Sequence, residues 1–169
     1  MEYFKLGLDR RVESVGGKLK LPTHLLQSYD KMQDGDIITI HNEELILYPC
    51  LIEQPVLLVS SQIGRVLREC MPELEYKMIT IFNASQGTRQ EYAYYHFQQV
   101  LGEIIKQNDT NSLLIRLQEH HPQLPSLLCV KHYHQSILIC NLDVAERLLS
   151  MQIFGLHIEK IQLEEGNKE

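Results

Sequence analysis

Apolar residues fall along this chain in short blocks, most of them with the length and β-branched content of strands. The clearest block opens the stretch from Ser136 to Leu163, SILICNLDVAERLLSMQIFGLHIEKIQL. Ile137 to Cys140 is wholly apolar and fits a buried strand. Asn141 ends it with a side chain suited to accept from the free amides of a following helix, and Asp143 falls in the first turn, where the helix dipole favours a carboxylate. A helix is therefore predicted from about residue 142. Its wheel puts Val144, Ala145, Leu148, Leu149 and Met151 on a core face, and Asp143, Glu146, Arg147 and Ser150 on a solvent face. Gly155 permits a turn, and an imperfect alternation from Leu156 to Ile161 predicts a second strand.

The same order of parts occurs in PVLLVSSQIGRVLRECMPELEYKMITIF, residues 55–82. Val56 to Val59 is a strand pattern, and Ser60 or Ser61 supplies a cap. Ile63, Val66, Leu67, Cys70 and Met71 share a helical face opposite Arg65, Arg68 and Glu69. Pro72 stops the helix, and Tyr76 to Phe82 forms the next strand. Placing Leu57–Ser60 against Leu138–Asn141 brings Ile63, Leu67 and Cys70 onto Val144, Leu148 and Met151. Cap meets cap and core meets core, as in an internal repeat. The competing account is that any amphipathic helix after a strand aligns with any other.

Elsewhere, Tyr3 to Leu8 fits a strand, and Asp9 to Lys20 a polar connection leading to a helix over Leu25 to Met32. Asp34-Gly35 marks a turn. Ile37 to Ile40 and Glu44 to Leu47 then predict a hairpin around His41-Asn42-Glu43. Ala84 to Gln90 is a turn around Gly87. Glu91 to Phe97 is an aromatic strand, with Tyr92, Tyr94 and His96 on one face and Ala93, Tyr95 and Phe97 on the other. Such a strand is either covered on both sides or offers one to a partner. Val100 to Ile105 predicts a short helix, Lys106 to Ser112 a loop, and Leu113 to Leu117 and Leu127 to Lys131 strands.

These elements predict an α+β fold with mixed or antiparallel sheets and the two strand-helix-strand units packed as an internal repeat. Residues 1–169 are expected to form a single domain with two lobes. Residues 1–50 or so would hold N-terminal strands and a hairpin, residues 51–163 the repeated core, and residues 164–169 a frayed tail.

Composition narrows the function classes. A hydrophobic content of 44% supports a sizeable core. Sixteen Lys and Arg against 22 Asp and Glu give a net charge of −6, which repels a phosphate backbone, so nucleic acid is not an expected partner; a basic protein is the natural electrostatic complement, although a modestly acidic balance is also common among cytoplasmic proteins with no such partner. No apolar run approaches the roughly 20 residues that span a bilayer, and Met1 to Arg11 has no secretory pattern, so no membrane partner and a cytoplasmic location are expected. Cys50, Cys70, Cys129 and Cys140 are scattered, as buried reduced thiols would be.

Candidate chemistry is sparse. His132 and His134 are two apart, which on a strand would put both rings on one face, but no third ligand has a diagnostic spacing. Adjacent His120 and His121 point different ways at a turn. Ser60, Ser61 and the cysteines lie in no nucleophile-elbow pattern, and Glu73 with Glu75 and Glu164 with Glu165 sit in polar contexts. Phosphate loops of the GxGxxG and GxxxxGK[ST] kinds do not occur. No residue is assigned a catalytic, metal-binding or cofactor-binding role, no cofactor is expected, and the chain is not expected to be an enzyme.

Pro55 to Ser60, Pro72 to Lys77, Asp143-Val144-Ala145-Glu146 with Leu148-Leu149, and Phe154-Gly155 carry a resemblance. Across residues 50–163 the chain resembles the immunity proteins of bacterial polymorphic-toxin systems, of the domain-of-unknown-function type. It departs from them at Cys140, where a larger or hydroxylated residue is usual, and in the loop from Lys106 to Ser112. The resemblance implies a cytoplasmic inhibitor that occludes a cognate toxin domain by steric and electrostatic complementarity. It transfers no contact residue, because toxin-facing surfaces vary in such families. Two other readings stay open: a metal-dependent or other enzyme using His132 and His134, and a regulatory or adaptor domain that self-associates through Tyr92 to Phe97.

Overall fold

A computed structural model describes residues 1–13, 19–23, 28–106 and 113–166. It is a mixed α/β structure made mostly of strands: β1 Tyr3–Leu8, β2 Asp36–Ile40, β3 Leu51–Ile52, β4 Leu58–Ser60, β5 Tyr76–Asn83, β6 Thr88–Tyr95, β7 Gln99–Lys106, β8 Leu113–Leu117, β9 Leu127–His132, β10 Gln135–Asn141 and β11 Leu156–Glu164. Among the described residues three helices join them: α1 Arg10–Glu13, α2 Ser61–Cys70 and α3 Leu142–Ser150. A 3-10 turn covers Tyr29–Lys31. It takes up part of the helix predicted over Leu25 to Met32, of which residues 25–27 lie outside the described residues.

The chain divides into two compact units. One comprises Met1–Gly7, Phe97–Gln152 and His157–Glu169; the other comprises Leu8–His96 and Ile153–Leu156. The main division falls after His96, and the first seven residues belong with the C-terminal part.

The first unit is a closed barrel in the order β1-β10-β9-β7-β8-β11. β10 is antiparallel to β1 and β9, β9 parallel to β7, β7 antiparallel to β8, and β8 parallel to β11. Following those senses round the ring, β11 runs with β10 and against β1, which lies between them. Alternation along each strand turns Val100, Ile115, Leu117, Leu128, Val130, Ile137 and Ile139 into one apolar cluster. Gly102 is part of that packing, for a Cβ there would stand 2.7 Å from Val130 Cγ1 and 3.1 Å from the Arg116 carbonyl oxygen. On the other side of β10, Leu138 and Cys140 are also fully buried, and α3 packs against this strand.

The second unit is a five-stranded sheet in the order β2-β5-β6-β4-β3. β6 is antiparallel to both β5 and β4, so those two run the same way on either side of it. Ile38, Ile40, Leu58, Ile79, Ile81, Tyr92 and Tyr94 form the core on one face. α2 lies on the other, where Tyr95 Oη donates to the Gly64 carbonyl at 3.0 Å and Gly64 admits Ala93.

Three local expectations are corrected. Val100 to Ile105 is strand β7, not a helix: Val100 is buried while Leu101 is 55% exposed, the two-residue alternation that barrel pairing demands. Ile37 to Ile40 forms no hairpin with Glu44 to Leu47. It pairs in parallel with β5, and Asn83 closes the corner, its Oδ1 accepting from the Asn42 amide at 3.0 Å and its Nδ2 donating to the Asn42 carbonyl at 3.0 Å. Finally, Leu149 leaves the core face of its helix and is 61% exposed.

Candidate interaction surface

The residues with chemical potential are placed first. His132 ends β9, and its Nδ1 lies 3.0 Å from the Gly102 carbonyl oxygen. Its ring meets Tyr133 edge-on at 4.6 Å. His134 lies in the tight turn before β10, so the two histidines are not two positions of one strand. His120 Nδ1 pairs with a Glu165 carboxylate oxygen. His121 turns a buried Nε2 inward that has no hydrogen-bond partner. Among the described residues no group of three or more His, Cys, Asp or Glu is placed to hold a metal ion.

The nucleophile candidates have structural positions. Ser60 Oγ caps α2, 3.5 Å from the Ile63 amide, and Ser61 is the exposed first residue of that helix. Cys50, Cys129 and Cys140 are buried, Cys70 is half-buried, and none of the four is in a disulfide. Burial pushes the Cys50 and Cys129 thiols up to about 11, which keeps them protonated and poorly nucleophilic at neutral pH. Glu73 and Glu75 are exposed, and Glu164 pairs with Arg116 at 3.1 Å.

The aromatic strand is covered on both faces. Tyr92 and Tyr94 enter the core of the sheet, while Ala93 and Tyr95 lie under α2. Tyr92 Oη donates to the Pro49 carbonyl at 2.7 Å, and burial raises its pKa above the ordinary phenol value. His96 departs from the face predicted for it. It is exposed and stacks on Tyr29 at 4.7 Å, a ring that also meets Tyr94 edge-on and carries Lys77 Nζ at 4.1 Å. Of Tyr92 to Phe97, His96 is exposed and the other five are buried.

The outward side of α3 carries exposed apolar and charged side chains together. Asn141 enters the helix in an extended conformation, and its Oδ1 accepts from the Val144 amide at 3.1 Å. Val144, Ala145 and Leu148 are buried. Asp143, Glu146, Arg147 and Ser150 face solvent together with Leu142, 38% exposed, and Leu149, 61% exposed. Gln152, at φ 49°, ends the helix in the left-handed conformation. At 100° per residue Leu142, Glu146 and Leu149 form one stripe, with Asp143 and Ser150 beside it. The sequence contained that signal: Leu149 lies about 100° from Leu148, toward Glu146.

No family model matches this chain, and comparison with curated proteins returned no match. Among the described residues no helix is long and apolar enough to cross a membrane.

Proposed function

We propose that the protein is a noncatalytic immunity protein, acting in the cytoplasm by binding a cognate toxin domain and occluding it. The observation that carries this reading is the placement of the segment bearing the resemblance. Asp143-Val144-Ala145-Glu146 forms the first turns of α3, with Val144 and Ala145 buried and both carboxylates turned to solvent. The same motif thus serves the core and presents acidic groups, as a binder of basic proteins requires. A net charge of −6 favours a basic protein partner over nucleic acid.

The internal repeat belongs to the same proposal. β4-α2-β5 and β10-α3-β11 are each strand, helix and strand in sequence, and each pair of outer strands runs parallel with one antiparallel strand between them, β6 in one case and β1 in the other. Each helix is capped by the side chain of the last residue of the strand before it, Ser60 or Asn141. Shared strand senses and cap positions support common design beyond the match of apolar residues.

The test is co-expression with the toxin gene that this reading places next door. Restored growth and a complex that survives purification are expected. A purified pair that does not bind at micromolar concentration defeats the proposal.

A further inference from the structure

We infer that the outward face of α3 is a helix-in-groove docking surface whose two anchors are Leu142 and Leu149, and that its partner is a protein domain with an apolar groove bordered by basic side chains. This rests on the immunity reading for the identity of the partner and adds the surface and its chemistry.

The two helices provide an internal comparison. Under the alignment of their caps, Leu142 corresponds to Ser61, Glu146 to Arg65 and Leu149 to Arg68. A helix in the same place between two parallel strands therefore tolerates polar or basic residues at all three positions. Arg68 lies over the Tyr76 ring at 5.4 Å, packing its own sheet unit. Leu149 instead leaves 61% of its surface in water and Leu142 leaves 38%. The architecture does not demand leucine at these positions, and leucine there forfeits the gain of burial unless a partner supplies it.

Spacing and charge select the occupant. Leu142 and Leu149 are two helical turns apart, about 10 Å along the axis, the separation at which a grooved partner takes the anchors of a docked helix. Glu146 sits between them and Asp143 beside them, while Arg147 lies about 100° round from Glu146, off the stripe, so the rim over the stripe must be basic, and an acidic or uncharged rim would leave Glu146 unpaired on desolvation. A second copy of this chain fits less well, because a two-fold pairing of the two stripes would set Glu146, which lies midway between the leucines, against its own copy.

The experiment measures binding of the purified domain of the adjacent toxin to wild type, L142S/L149S, E146K and, as a control on the other helix, R65E. The double variant should bind at least about tenfold more weakly, the loss expected when central anchors are truncated. E146K should weaken binding by a similar factor and flatten its dependence on salt, while R65E leaves both unchanged. All substituted positions but Leu142 are well exposed, and thermal melting verifies that each variant is folded. If wild type binds and folded L142S/L149S and E146K bind equally well, this surface assignment is wrong while the immunity reading stands. If wild type fails to bind, both fall. If light scattering finds a wild-type dimer that L142S/L149S dissolves without weakening toxin binding, the face belongs to a second copy and the inference is overturned.

Discussion

Tyr133 and Gln152 have φ angles of 51° and 49°, a region in which a side chain crowds its own backbone. Gln152 closes α3, but Tyr133 stands at the hairpin tip, 83% exposed. Asn tolerates this conformation better than Tyr, so Tyr133→Asn should stabilise the protein by about 1 kcal/mol, readable as a shift in denaturant midpoint with an unchanged slope. An unchanged or lower midpoint would show that the tyrosine ring contributes more than its backbone costs. The buried thiols make a second prediction. Cys50 and Cys129 titrate near 11 when folded, above the ordinary thiol value of 9.0. Between those pH values the unfolded chain releases protons that the folded one retains, so the stability present below pH 9 is lost progressively toward pH 11. Unfolding midpoints measured across that window should fall, and the fall should shrink in a Cys50→Ala/Cys129→Ala variant.

At the scale of elements, the two caps differ in quality. Asn141 Oδ1 lies 3.1 Å from its amide and Ser60 Oγ 3.5 Å from the equivalent one. Asn141→Ala should cost about 1 kcal/mol and Ser60→Ala less, as chemical denaturation of the two variants would show. α2, α3 and most strands were legible in the sequence because cap, periodicity and breaker agreed there. β7 was not, since Val100, Leu101, Ile104 and Ile105 satisfy a helical spacing as well as a strand one, and only pairing with β8 and β9 decides between them. Leu149 departs from its predicted core face because its angle lies at that face's edge, between Ala145 and Glu146. The absence of a covering neighbour is a tertiary fact that no local pattern encodes.

At the scale of the whole molecule, blocks of apolar residues announced a sheet-rich protein but not which strands meet. The parallel pairing of β2 with β5, and of β8 with β11, joins segments far apart in sequence, and nothing in either partner marks the other. The clearest case is β1, which closes the barrel between β10 and β11 and buries Tyr3 and Leu6. Removing residues 1–8 should therefore open the C-terminal barrel, with loss of its cooperative melting and gain of binding to an apolar dye. A synthetic peptide of residues 1–8 should restore the transition. A truncated chain that melts like the intact one would show that the ring does not need its sixth strand. Closure by β1 also orders events at the ribosome. β2 to β6 are all made before the barrel's later strands, whereas β1, made before them, has no barrel partner until Gln135–Asn141 and then Leu156–Glu164 have been translated. At roughly 5–20 residues per second it waits on the order of ten seconds, and the barrel, unlike the sheet, can be finished only once β11 has been made.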